Sequence, residues 1–325
     1  MVQKTHKNIK PTGGYLIDTP DPRNYSYGSI FGVPAYPRKF LRTLPDINIP
    51  YQGRVQSCVS CSFTWLNQYK SLLNDNNNLN LSWRKVHAST GAYGIGRNLK
   101  IIAKYLESAG QPQDQFCEDN PLLDEAEFMK VILSQEGNED ALKRIIGSYW
   151  WVKPDSIDEL CSAVVAEPII ITLGGINKDW QKPYGEIVTQ SNGSDWYHAI
   201  VLLGYDLDAG YFQGLNWWGD GLRKININYK LTSALSFRDI PDKNDMFKVI
   251  KLEDKDDQYM ITGNVKRRIP DSDTFHYFKG ILGIINDPVV VSEQELNQYV
   301  VGEMLPSVKL TRALGGIAKD IYFEE

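Results

Sequence analysis

The sequence predicts an α+β protein in two lobes, helical first and strand-rich second, followed by a small C-terminal module. Three observations carry this. Between residues 58 and 165 apolar residues recur at helical spacing, whereas from Ile169 onward they gather in short β-branched runs separated by turns. Past Lys251 charge density rises through Glu253-Asp254-Lys255-Asp256-Asp257, which marks a boundary. The expected parts are an extended strap over 1–45, the two-lobed domain over 46–250 and the module over 251–325.

The strap, from Gly13 to Pro50, is rich in Pro, Gly, Tyr and Asn, with short apolar pieces such as Tyr15-Leu16-Ile17. That composition predicts extended chain and turns rather than helix. After Cys58 come Phe63, Trp65-Leu66, Tyr69 and Leu72-Leu73, a spacing near 3.6 that predicts a buried helix, ended by the Asn-rich run 74–80. Further helices are expected over Leu99–Ala109 with Gly110 as stop, Glu125–Leu133, Asp140–Ile146 and Ile157–Val165 before Pro168. Strands are expected at Ile169–Leu173, Ala199–Leu203 and Ile225–Ile227.

At 325 residues, 42% hydrophobic and 23% charged, the chain has the composition of an ordinary folded protein. A net charge of −5 with no long basic run argues against nucleic acid and anionic membrane as partners. Lys4, Lys7 and Lys10 are followed by no apolar stretch, and no later run approaches the roughly 20 apolar residues of a membrane span. The expectation is a soluble chain made in the cytoplasm, with virion association or release as the alternative setting. Four cysteines, at 58, 61, 117 and 161, are too few and scattered for a disulfide scaffold.

Cys58 directly precedes the apolar helix pattern, which places it in a first helical turn. Free backbone N–H groups and the positive end of the helix dipole there favour a thiolate, the nucleophilic form. Gln52, six positions earlier, supplies a neutral amide donor. With the Cys58 backbone N–H it could hold the oxyanion of a tetrahedral intermediate. Of four histidines, His6, His87 and His276 lie in a terminus, a polar helical stretch and the tail. His198 instead opens a buried-strand pattern, His198-Ala199-Ile200-Val201-Leu202-Leu203-Gly204-Tyr205, which fixes its ring at the strand's leading end. It is the candidate base, and Asn216, in Gly214-Leu215-Asn216-Trp217-Trp218-Gly219, is the candidate orienter under an aromatic cover.

These residues carry a resemblance to the papain family of cysteine peptidases. The Gln-to-Cys spacing of six, the His-Ala-Ile-Val-Leu-Leu-Gly-Tyr strand and the Asn-x-Trp-Gly turn match in type and order, and His198 lies 140 residues beyond Cys58. The likeness spans about residues 40 to 230, and Leu81-Ser82, Gly96 and Glu167-Pro168-Ile169 also fall where such enzymes carry similar residues. It implies a papain-like two-lobed fold, hydrolysis of protein or peptide substrates through a Cys58 thioester, and no metal or organic cofactor. Gln56, Ser57 and Tyr197, which flank the nucleophile and base, are the expected substrate-binding positions.

The sequence departs from the eukaryotic members at Val55, where they have a disulfide cysteine, at Gln56 for Gly, at Val59 for Trp and at Trp217 for Ser. It is closer to the divergent bacterial and phage members, whose motif reads Gln-Gly-x-x-Gly-Ser-Cys. Gln56 either points away into solvent or lies in the cleft, where it would favour Gly or Ala just before the scissile bond. With about fifty residues before Gln52, no long inhibitory prodomain is expected.

Cys58-Val59-Ser60-Cys61 is also formally a C-x-x-C motif. It lacks both a thioredoxin-like context and the two further ligands a zinc site needs. Two other functions use the same residues: a catalytically silent fold serving as a binding or toxin-like module, and an acyltransferase in which an amine resolves the thioester. In the tail, Lys266-Arg267-Arg268, Val290-Val291-Ser292 and Gly302–Pro306 resemble a small module of bacterial and phage extracellular proteins. It is read as a β-hairpin plus helix that packs on the enzyme or mediates attachment.

Overall fold

The helix expected after Cys58 is the axis of the fold. In the computed structural model it is α2, Cys58–Asp75, which ends where Asn76 takes the left-handed conformation (φ 50°) that Asn tolerates better than most residues. It is enclosed by protein, and several of its polar residues find partners. Asn67 donates to Gln111, Gln111 donates to Thr64, and Gln68 donates to the Asn48 carbonyl while accepting from Leu81 N–H. The structure describes residues 14–18, 26–176, 180, 185–190, 196–219, 221–239, 248–253, 257–262, 265–272, 274–276, 288–296 and 300–301. The chain divides into two units, Met1–Ile240 and Pro241–Glu325.

Around α2 the first unit places α1 (Tyr27–Phe31), β1 (Lys39–Leu41), α3 (Trp83–Ser89), α4 (Leu99–Ala109), α5 (Glu125–Phe128), α6 (Gln135–Leu142), β2 (Ile146–Trp151) and α7 (Ile157–Ala166). Next come β3 (Ile169–Leu173), β4 (Ile187–Val188), β5 (His198–Asp206), β6 (Tyr211–Asn216), β7 (Gly221–Asn226) and β8 (Leu231–Asp239). The strands form one sheet in the order β2-β8-β3-β5-β6-β7-β4, with β1 also paired to β5. β5 is central and fully buried. Its alternate residues feed two cores, Ala199, Val201 and Leu203 packing with α2 and α4, and Ile200 and Leu202 with α7.

Two helix expectations are corrected. The pattern assigned to 125–133 is helical only over Glu125–Phe128, and that assigned to 140–146 starts earlier, as α6. Ser134 caps α6 by accepting from Gly137 N–H, and the aromatic Tyr149-Trp150-Trp151 draws the following residues into β2 against β8. The strap, expected to be extended, contains the short helix α1. α3 is the polar helical stretch that holds His87, whereas β6 and β8 had no counterpart in the sequence reading.

Lys70 and Glu167 form a mostly buried ion pair at 2.5 Å, and Ser236 donates to the other carboxylate oxygen. Glu167→Ala leaves the buried ammonium without its partner. It is expected to cost about 3 kcal/mol, read as a lower urea midpoint at unchanged slope.

The second unit is a five-stranded sheet, fuller than a hairpin. Its strands are β9 (Lys248–Leu252), β10 (Gln258–Thr262), β11 (Val265–Ile269), β12 (Val289–Val291) and β13 (Val300–Val301), in the order β12-β9-β10-β11-β13. Helix α8 (Glu293–Leu296) contributes Leu296 to a core with Ile250 and Leu252. The basic triplet does not present one face, since Lys266 is buried and donates to the Leu296 carbonyl, whereas exposed Arg268 pairs with Asp257. Gly302–Pro306 and the lysines at 4, 7 and 10 lie outside the described residues. Among the described residues no helix is long and apolar enough to cross a membrane.

Candidate active site

The loop before α2 folds back on itself. Gly53 turns it at φ +64°, where a Cβ would also lie 2.4 Å from the Pro121 carbonyl oxygen. Gln52 N–H donates to the Trp217 carbonyl at 2.9 Å, and the Gln52 side-chain amide donates to the Val55 carbonyl at 2.8 Å. Ser57 is the N-cap residue, and Cys58 is the first residue of the helix. The Ser57 hydroxyl is buried between the Val55 carbonyl and the Cys61 sulfur. Cys58 and Cys61 are both buried and free, and among the described residues no group of three His, Cys, Asp or Glu could hold a metal ion.

On the opposite side, antiparallel pairing of β5 with β6 brings the start of one strand beside the end of the other. His198 Nε2 and Asn216 Oδ1 lie 2.8 Å apart. Asn216 Oδ1 also accepts from Trp217 N–H at 2.9 Å, which identifies it as the oxygen, so Nε2 carries the proton and donates. The lone pair of the neutral ring is therefore on Nδ1, which has no hydrogen-bond partner.

Both tryptophans after Asn216 hold the site together, beyond the aromatic cover expected there. Trp217 Nε1 donates to the Ala199 carbonyl at 2.9 Å and to Ser62 Oγ at 3.0 Å, and Ser62 in turn donates to the Cys58 carbonyl. The first turn of the helix that begins with Cys58 is thus tied to the strand that begins with His198. Trp218 stacks on His198, with centroids 4.3 Å apart and planes at 26°, and its indole donates to Gln52 Oε1 at 3.2 Å. This fixes which end of the Gln52 amide is the donor end.

The strap residues 14–18 lie across this constellation. Gly14 N–H donates to the Tyr197 carbonyl, Arg97 N–H donates to the Gly14 carbonyl, and Leu16 N–H donates to the Arg97 carbonyl, a parallel pairing. The contact admits no side chain. A Cβ on Gly14 would sit 2.3 Å from the Gln56 carbonyl oxygen and 2.9 Å from its Cα, and one on Gly96 would sit 2.3 Å from the Gly14 oxygen. The backbone of Gln56 closes on the strap, so a side-chain account of that residue is incomplete. Asp18 anchors the segment by accepting from Leu99 and Lys100 N–H, at the amino end of α4.

With the strap in place Cys58, His198, Asn216 and Gln52 are each 0% exposed. Burial pushes the Cys58 thiol up to about 12, against backbone hydrogen bonds from Ala199, Val59, Gly14 and its own amide that lower it. Burial likewise takes His198 down to about 4, against the Asn216 hydrogen bond, which raises it. Both groups are neutral at pH 7 in this arrangement.

Of the residues chosen from sequence, the structure brings together Cys58, His198, Asn216 and Gln52, with the Gln56 backbone and the Tyr197 carbonyl bordering them. Sequence reasoning missed Trp217 and Trp218 as site residues, and Gly14. The Asn-Trp-Trp-Gly run and the Gly13-Gly14 pair were the available signals.

No protein-family model and no curated protein matches this sequence. Among solved structures the chain is similar to xylellain, a cysteine protease from Xylella fastidiosa, at 20% identity and TM-score 0.62, covering 72% of this chain and 99% of that one. It is similar also to procathepsin B S9 from Trypanosoma congolense, at 12% identity and TM-score 0.54, covering 71% and 87%. A third is the ragweed pollen cysteine protease Amb a 11 in its proform, at 13% identity and TM-score 0.51, covering 64% and 67%. At these identities what is shared is architecture: the chain has the papain-like fold, an α+β protein with its large sheet packed on helices.

Proposed function

We propose that the protein is a cysteine peptidase that rests closed, its active site covered by its own strap. The observation that carries this reading is the convergence of four residues from separate elements. Cys58 sits at the start of α2, His198 at the start of β5, Asn216 at the end of β6, and Gln52 is oriented by Trp218. In the opened site His198 Nδ1 takes the thiol proton, and the thiolate attacks a peptide carbonyl. The carbonyl oxygen becomes an oxyanion facing the Gln52 amide and the Cys58 N–H. Collapse expels the amine, which takes its proton from His198, and water activated by the same ring releases the acid and regenerates the thiol. Asn216 holds the ring by accepting from Nε2 and stabilises the imidazolium, the part an orienting group plays in a catalytic triad. Val55 and Val59, in place of Cys and Trp, support a position in the divergent bacterial and phage branch.

The pH dependence of Cys58 alkylation tests this. With the strap lifted by Gly14→Val, the chain that keeps His198 should label over a flat neutral range, because thiolate and imidazolium stabilise each other. His198→Ala should label only as the isolated thiol ionises, at about pH 8.5 or above. Identical profiles would refute the pairing. Complete burial of the nucleophile also favours a second reading, a silent binding module. Absence of any peptide cleavage by the Gly14→Val chain would select it.

A further inference from the structure

Of the consecutive strap residues Tyr15-Leu16-Ile17, only the first turns inward. Leu16 and Ile17 are 42% and 56% exposed, whereas Tyr15 is 4% exposed. Its ring meets Tyr197 edge to face at 6.3 Å, and its hydroxyl lies 2.9 Å from Ser233 Oγ on β8. The Asp18 backbone N–H also donates to the phenol oxygen, at 3.0 Å. The phenol donates to Asp18 Oδ2 at 3.0 Å, so the Ser233 hydroxyl is the donor to the phenol oxygen. The pocket therefore has an aromatic wall and a hydroxyl floor. It begins one residue along the chain from the glycine that lies on Cys58, and Tyr197, which lines it, precedes the base in sequence.

We infer that the pocket filled by Tyr15 is the one that selects a substrate side chain, and that it fits a phenol, so that the substrates are peptides bearing tyrosine beside the reacting bond. This rests on the peptidase reading and names its substrate class. Phenylalanine fills the same volume but leaves the buried Ser233 hydroxyl without its partner. A buried polar group so stranded disfavours an analogue that lacks the hydroxyl, and one neutral hydrogen bond corresponds to about 5- to 10-fold. Leucine loses the ring contact with Tyr197 as well. The strap occupies the pocket as a resident version of that ligand.

The test uses the full chain with Tyr15→Ala, which vacates the pocket, and reads protection of Cys58 from iodoacetamide by acetyl-Gly-Tyr-Leu-amide and its phenylalanine counterpart. The tyrosine peptide should protect at about 5- to 10-fold lower concentration. Adding Ser233→Ala should bring the two peptides to parity by weakening the tyrosine peptide alone. Equal protection in the Tyr15→Ala chain, a preference that survives Ser233→Ala, or a Cys58 that still fails to label once Tyr15 is gone would each overturn the inference. Hydrolysis is scored separately. Tyrosine-selective protection without cleavage upholds the pocket and sinks the peptidase reading; cleavage with no tyrosine preference does the reverse.

Discussion

Cys58→Ala should abolish peptide hydrolysis, a loss on the order of 10⁶-fold, while the variant still unfolds cooperatively near the wild-type midpoint. Removing one sulfur from a buried helix start takes away the atom proposed to form the thioester and little of the packing. Cys61→Ala is the matched control. Its sulfur lies one turn on, 3.8 Å from Ser57 Oγ, and burial holds its thiol well above the ordinary range. That variant should keep most of the activity. Steady-state cleavage of an unstructured protein substrate separates the two, and an inactive Cys61→Ala beside an active Cys58→Ala would show that the motif has been read in the wrong register.

Gly14→Val is the second large effect, and its direction is a gain. Valine's Cβ would have to occupy space 2.3 Å from the Gln56 carbonyl oxygen, a backbone atom that cannot rotate away. The strap must then lift. Cys58 alkylation at pH 7 should rise by at least about 10-fold, as the thiol leaves an environment that holds it near 12 and the imidazole leaves one that holds it near 4. Opening exchanges a neutral thiol and imidazole for a thiolate and imidazolium, which together hold the same one proton. The gain should therefore be nearly constant across the neutral range rather than growing toward acid or base. A labelling rate unchanged from wild type would mean that the strap does not guard the nucleophile.

The parts of this molecule legible in the sequence are those whose physics is local. α2 declares itself because its apolar residues follow one period for four turns, and β5 because a run of β-branched and aliphatic residues follows a histidine. Gln52, Cys58, His198 and Asn216 could be named because each lies at the edge of such an element. The stretch from 125 to 151 was harder. There weak helical periodicity competes with the cap at Ser134 and with a pairing to β8 some ninety residues away, and long-range pairing prevails. Trp217 was invisible as a site residue because its importance is a bond to Ala199 and Ser62, one nearby in sequence and one 155 positions distant. Gly14 was equally silent. Its role is an absence of atoms, meaningful only once the Gln56 and Gly96 backbones are brought against it.

The Tyr15 seat also has a consequence for how the protein would respond to its surroundings. An inhibitor joined to its target by the polypeptide is present at a fixed local concentration, of millimolar order for a short flexible connection. Dilution cannot remove it, and its grip is the same in one molecule as in a crowded solution. An incoming peptide meets a competitor that never diffuses away, so its apparent affinity is its intrinsic affinity reduced by the fraction of chains that are open. Scattered single tyrosine peptides would register weakly. A partner that engages the strap's exposed Leu16 and Ile17 would raise the open fraction for every substrate at once, turning a constant tax on binding into a dial.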